Sequence, residues 1–338
     1  MKERGQMLEA VGGEAGCLKL SEEFYGRVAK DPELHALFPG KTLKCAIGEL
    51  SAFLVQFLGG DDDKTQFRHW LSLRESHARF HITELQRLAW LKQMEATLQS
   101  SNLEAETTDS LHQFFVSSSA YLLGTEGEEV CEPELRDRWR LAQSLDELVA
   151  NIHAGRDLET LEAMRTFASR STLYVGILAK MLQTGRPTLV AAVGQEIELN
   201  PELAFRRYGG WTLVHTAAAA GCPEIVALLL RLGVAPDVLD NGSHSPLYRV
   251  ANGCSAETGP EIVRMLVQAG ADVNFNGGAT RATPLHMAAR RGHLGVAQAL
   301  LDLGASRSMR DTKGCTPLDR AINCRKPEIA KLLQQRTT

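Results

Sequence analysis

The chain lacks any run long and apolar enough to suggest a membrane span. Its most apolar stretch, STLYVGILAKML, holds Lys180 and falls short of the roughly 18 residues that a spanning helix needs. The opening MKERGQMLEAVGGEAG carries charge with no apolar stretch behind it, so a secretory signal is not expected. Cysteine is sparse and unpatterned. Cys17, Cys45, Cys131, Cys222, Cys254, Cys315 and Cys324 are an odd number with no CxxC among them. Disulfide staples and a structural zinc site are therefore not expected, and a reducing cytoplasm is the expected location. Positive charge is not in excess either: the formal net charge is −4, which gives no overall basic field for nucleic acid. What the chain has is 44% hydrophobic and 23% charged residues, an ordinary globular balance, over 338 residues, enough for two or three domains.

Internal repeats dominate the second half. Thr212-Leu-Val-His215, Ser245-Pro-Leu-Tyr248, Thr283-Pro-Leu-His286 and Thr316-Pro-Leu-Asp319 align at spacings of 33, 38 and 33 residues. Each is followed by a second apolar element: CPEIVALLLRLG, GPEIVRMLVQAG, HLGVAQALLDLG and KPEIAKLLQQ. The Thr or Ser hydroxyl caps a helix, and Pro fits the first helical turn, where a backbone N–H has no partner to lose. Gly233, Gly270 and Gly304 follow the second helix, where a left-handed residue is needed. One such unit cannot bury its apolar face, whereas a stack makes a continuous core. The pattern resembles the ankyrin repeat, over about residues 183–338, with a degenerate cap before the first unit. The resemblance implies a surface that binds another protein. Arg290-Arg291 reads as an exposed loop pair, not a nucleic-acid patch.

Residues 126–182 read as helices joining the two halves. Leu141, Leu145, Leu148 and Ile152 recur at helical spacing, and Leu158, Leu161, Met164 and Phe167 begin another stripe.

Residues 1–125 read as short helices with no strand. Ser21, followed by Glu22 and Glu23, predicts a helix start. KCAIGELSAFLVQFLGG predicts an amphipathic helix ending at Gly59-Gly60. Gly12-Gly13-x-x-Gly16 follows no strand, so a dinucleotide site is not expected there, and Asp61-Asp62-Asp63 reads as an acidic helix start rather than a metal site. Cys45 reads as a small core thiol. The distinctive string is Phe24-Tyr25, Phe38-Pro39, Gly59-Gly60, His77-x-x-Phe80 and Trp90-Leu91. In order and in register, it resembles the truncated haemoglobins, most closely their second group, over about residues 8–124. Arg79 and Ser76 depart from that family's pattern, which has Pro and Arg at these places.

The resemblance implies haem b, with His77 as the proximal iron ligand, since globin iron needs one neutral imidazole. It places Tyr25, Ala46, Leu50 and Trp90 on the distal side and Phe38 flat against the porphyrin. Leu71, Leu73, Phe80 and Ile82 are apolar neighbours of His77. Lys64 and Arg74 are candidate propionate partners. Ala46 stands where many globins carry a distal His, so the Tyr25 phenol and the Trp90 indole are the expected donors to dioxygen. His35, His69 and His81 are expected at the surface.

The chain thus reads as all-α: a truncated globin haem domain (1–125), connector helices (126–182) and an ankyrin-repeat solenoid (183–338). The expected function is reversible binding of dioxygen or another diatomic gas at the His-ligated iron, coupled to an unidentified protein partner through the repeats. Neither nucleic acid nor membrane is expected as a partner. Two alternatives are a haem enzyme with peroxidase-like or nitric-oxide-detoxifying activity and an external reductase, and an interaction scaffold whose globin fold has lost haem.

Overall fold

The computed structural model describes residues 6–38, 42–59, 73–77, 80–125, 127, 129–167, 171–254 and 257–335. Among them are nineteen α-helices and a single two-residue hairpin, Arg207–Tyr208 against Trp211–Thr212. The fold is all-α, as the periodicity predicts. The chain divides into two compact units, Met1–Arg156 and Asp157–Thr338.

In the first unit the Gly13–Val28 helix packs on Lys44–Phe57 and on Glu84–Ser100, and the latter packs on Ala105–Leu122. Between them lie Phe24, Leu54, Leu58, Met94, Leu98, Leu111 and Phe114, all buried. The Phe57 and Phe114 rings stack at 4.2 Å. Local chemistry sets the joints. Gly12, at φ +93°, takes the left-handed turn between the first two helices, and a Cβ on Gly16 would lie 1.9 Å from the Val11 carbonyl oxygen. Gly12 and Gly16 thus serve the tight joint between these two helices. Asp31 caps the short Pro32–His35 helix by accepting from the Glu33 and Leu34 amides. Thr83 and Gln86 form a capping box that starts Glu84–Ser100.

Two expectations change here. The helix expected to start at Ser21 starts at Gly13, and the Ser21 hydroxyl donates instead to the Cys17 carbonyl at 2.8 Å, one turn back. The segment 126–182 is shared between the two units. Its first helix, Pro133–Ala154, starts on Pro133 behind a Glu132 cap and puts Leu135 and Trp139 into the first unit's core. The Trp139 ring meets Phe114 edge-on at 5.7 Å. Along the same helix Leu145, Leu148 and Ile152 are buried, as their spacing predicts.

The second unit is a stack of helix pairs. Its inner helices, Ser171–Gln183, Leu213–Ala220, Pro246–Gly253, Pro284–Arg291 and Pro317–Asn323, pack in succession. Its outer helices, Pro187–Leu199, Pro223–Arg231, Gly259–Gln268, Leu294–Asp302 and Pro327–Gln334, do the same. The apolar STLYVGILAKML run is therefore the inner helix of the first pair, not part of a connector. Just before it, Met164 and Phe167 are buried, but Leu158 is 77% exposed and falls off the expected stripe.

Buried polar groups tie neighbouring pairs together. His215 Nδ1 lies 2.9 Å from the Thr212 hydroxyl, and its Nε2 lies 3.2 Å from the His244 carbonyl oxygen. His286 repeats this with Thr283 at 2.8 Å and the Cys315 carbonyl at 3.0 Å. Asp240 accepts from the Gly242 and His244 amides at 2.8 and 3.0 Å and from Arg249 Nε at 2.7 Å. Asp311 does the same with Lys313, Cys315 and Arg320, at 2.9, 3.1 and 2.6 Å.

Candidate functional site

His77 ends a five-residue helix, Leu73–His77. Its Nδ1 lies 2.9 Å from the Leu73 carbonyl oxygen and 2.9 Å from the Ser76 hydroxyl, which itself donates to the same carbonyl at 2.7 Å. A carbonyl can only accept, so Nδ1 is the donor in that contact. This is the arrangement that prepares an imidazole to bind a metal. Ser76, which the sequence marks only as a departure from the family pattern, is part of that arrangement.

A series of ring contacts leads away from His77. Phe80 lies 6.3 Å from the imidazole, Phe38 lies 6.0 Å from Phe80, and Tyr25 lies 5.7 Å from Phe38. Phe24 then touches Tyr25 and Trp90 at 5.0 Å each, and Trp90 lies 5.5 Å from Phe115. Residues from five separate segments are so brought into one neighbourhood. Tyr25, Phe38, Leu50, Phe53, Leu73 and Trp90 all pack against the core yet are only partly buried. Ala46 and Phe80 are partly buried as well. Side chains this apolar, left part-covered beside a ring nitrogen prepared for a metal, fit a flat apolar group such as haem.

The polar groups suit such a pocket. Burial, and then the charge of Glu49, push the Tyr25 phenol above its ordinary pKa, so its hydroxyl stays a donor at any physiological pH. The Trp90 indole can only donate. A cleft of about 340 Å³ opens beside Tyr25 and Phe38, lined also by Glu22, His35, Thr42 and Ile47 and by neither His77 nor Trp90.

Other candidates fall elsewhere. Arg74 donates to the Tyr121 carbonyl at 3.0 Å and lies 3.9 Å above the Tyr121 ring centre. Lys64, Leu71, His69, Arg79 and Asp61-Asp62-Asp63 lie outside the described residues. His35 and His81 are exposed. Cys45 is exposed too, so it is no core thiol: it sits on the outer face at the first turn of Lys44–Phe57. The seven cysteines form no disulfide. Among the described residues no cluster of His, Cys, Asp and Glu could hold a metal, and no helix is long and apolar enough to cross a membrane.

Fold and site together define a helical domain with an aromatic run beside a partly buried, hydrogen-bonded histidine, followed by a solenoid of helix pairs. Comparison with known families agrees. Residues 6–119 match the bacterial-like globin family, and residues 180–277 and 254–337 match ankyrin repeats. The first unit thus holds a match to the bacterial-like globin family, and the second is an ankyrin-repeat array. Cyclin-dependent kinase 4 inhibitor B of Bos taurus is 32% identical over 126 residues, 37% of this chain and 92% of that protein. B-cell lymphoma 3 protein homolog of Mus musculus is 33% identical over 121 residues, 35% of this chain and 25% of that protein. Ankyrin repeat and SOCS box protein 16 of Homo sapiens is 32% identical over 131 residues, 37% of this chain and 28% of that protein. The chain spans about a quarter of the length of the mouse and human relatives. The globin domain supports a haem-based, gas-binding role, and the ankyrin repeats support protein interaction.

Proposed function

We propose that the first unit binds haem b through Nε2 of His77 and holds dioxygen or another diatomic gas reversibly, and that the ankyrin surface couples this to a protein partner. The observation that carries the reading is the imidazole of His77, hydrogen-bonded through Nδ1 to Leu73 and joined by a run of aromatic contacts to two donors, Tyr25 and Trp90. Haem held there would supply an iron able to bind a small gas molecule. The protein supplies the rest. Phe38, Leu50 and Phe80 exclude water from the ring faces. The Tyr25 hydroxyl and Trp90 N–H donate to a ligand that carries partial negative charge. Arg74 is engaged by Tyr121, so Lys64 is the cation offered to propionates.

The bovine relative is named for inhibiting a kinase, a protein acting on a protein, which supports the same kind of role for this array. Cysteines without disulfides suit a reducing cytoplasm. The test is the visible spectrum of the purified full chain in ferrous, oxygenated and carbonyl forms. A haem band with a reversible gas-dependent shift supports the proposal. A colourless protein that takes up no added haemin overturns it. Fast peroxide turnover with slow gas release would favour a haem enzyme instead.

A further inference from the structure

The Pro133–Ala154 helix lies beyond the residues that match the globin family, yet it packs on the short helix that carries His77. A part-buried hydrogen bond crosses the contact. Asp146, 4% exposed, accepts the Arg74 amide on its Oδ1 at 3.0 Å. That amide belongs to the same peptide group as the Leu73 carbonyl, and the Leu73 carbonyl is the acceptor of the His77 Nδ1 proton at 2.9 Å. Carboxylate, peptide group and imidazole therefore lie in series. Tyr121 lies beside the pair: burial and then the Asp146 charge push its phenol pKa up, and Arg74 covers its ring at 3.9 Å.

Resting on the haem-pocket reading, we propose that Asp146 is a positioning and tuning residue for the proximal ligand: its carboxylate, acting through the Leu73–Arg74 peptide group, strengthens the hydrogen bond that His77 donates to Leu73. The physics is that of linked hydrogen bonds. A carboxylate that accepts an amide N–H draws the amide dipole into alignment and puts more negative charge on the carbonyl oxygen, so the next bond in the chain strengthens. A stronger pull on the Nδ1 proton makes Nε2 a better electron donor, and this is the route by which an outer partner raises the basicity of a metal-bound His. No proton needs to move. The second consequence is mechanical: a shift of the Pro133–Ala154 helix along its axis would change the tension on this bond, so a segment outside the globin match has a grip on the ligand.

The experiment uses the full chain with Asp146→Asn, which keeps an acceptor oxygen and removes the charge, beside Glu147→Gln, which removes one charge from the adjacent exposed position. Two properties of the haem-loaded protein are read, the reduction potential and the iron–imidazole stretching frequency. In the haem-free chain the hydrogen exchange of the Arg74 amide is read as well. Asp146→Asn should raise the potential, lower the stretching frequency and speed haem loss by about 10- to 100-fold, the usual cost of losing an outer partner. Glu147→Gln should move none of these. Asp146→Ala should speed exchange of the Arg74 amide, with Asp146→Asn restoring most of its protection. An unchanged potential and frequency in Asp146→Asn, or equal shifts in Asp146→Asn and Glu147→Gln, would overturn the relay while leaving the pocket intact. A wild-type chain that binds no haem would instead overturn the pocket reading, and the Arg74 amide would still report whether the carboxylate holds it.

Discussion

Tyr25 and Trp90, far apart in sequence, touch one common ring: the Phe24 centroid lies 5.0 Å from each. Phe24 is fully buried, so it fixes both donors relative to one another. The two should therefore serve one ligand. A hydrogen bond to a charged group is worth about 1.5–3 kcal/mol, so losing either donor should speed dioxygen release by roughly 10- to 150-fold. Tyr25→Phe and Trp90→Phe are the variants, and the double variant should show less than the summed effect, because each donor partly replaces the other. Carbon monoxide release, from a less charged ligand, should change far less. Stopped-flow release rates that stay at wild type in all three variants would rule out hydrogen-bonded retention.

Replacing His77 removes an imidazole that is both oriented by a backbone carbonyl and set beside Phe80. His77→Ala should abolish stable haem binding or leave a weak, exchangeable site. The check is the ferrous spectrum after haemin addition. A normal five-coordinate spectrum in this variant would assign the ligand to another residue.

The first unit should need its last helix. A chain cut after Arg156 keeps Leu135 and Trp139, whereas one cut after Thr125 loses both from the core. Truncating a buried Trp alone costs about 3–5 kcal/mol, a large part of a typical domain's stability. The shorter chain should melt far lower or aggregate, and the longer one should fold and take up haem. Equal melting temperatures for the two would show that the helix is dispensable.

Mild acid should weaken the repeat array. Burial pushes His215 down to about 4 from its ordinary value of 6.5. His286 is also lowered, first by burial. A folded-state value below the unfolded one means that the unfolded chain binds more protons in between. The stabilising contribution is then complete above about pH 6.5 and is lost as pH falls toward 4. For His215 the full loss is about 3 kcal/mol, at about 1.4 kcal/mol per pH unit. Urea unfolding of the second unit, followed between pH 7 and pH 4.5, should show this slope, and His215→Gln should flatten it. A slope untouched by that substitution would assign the pH dependence elsewhere.

Periodic features were the legible ones. The Thr-Pro-Leu-His pattern gave the positions of four inner helices, since cap, proline and glycine act locally. It missed the first, Ser171–Gln183, which the structure places in the array by what it packs against. Leu158 shows the reverse error, an apolar residue at the right spacing that a helix end leaves exposed. Of the expected site residues, Phe80 lies 6.3 Å from His77, and Phe38, Tyr25 and Trp90 follow it through successive ring contacts. Asp146 could not have been found in this way. Its link to Arg74 crosses 72 residues and depends on a backbone amide, which leaves no mark on side-chain chemistry.

The buried carboxylates of Asp240 and Asp311 each close their own turn, binding two of its amides and an arginine nine residues ahead. These turns are held by chemistry internal to them and are already ordered before anything docks. Ordering a residue's backbone costs about 1–2 kcal/mol, and a surface that has met this cost on folding does not meet it again on association. A partner that docks along these turns would therefore gain affinity from modest contacts, and its dissociation would be governed by its own side chains rather than by refolding of the array.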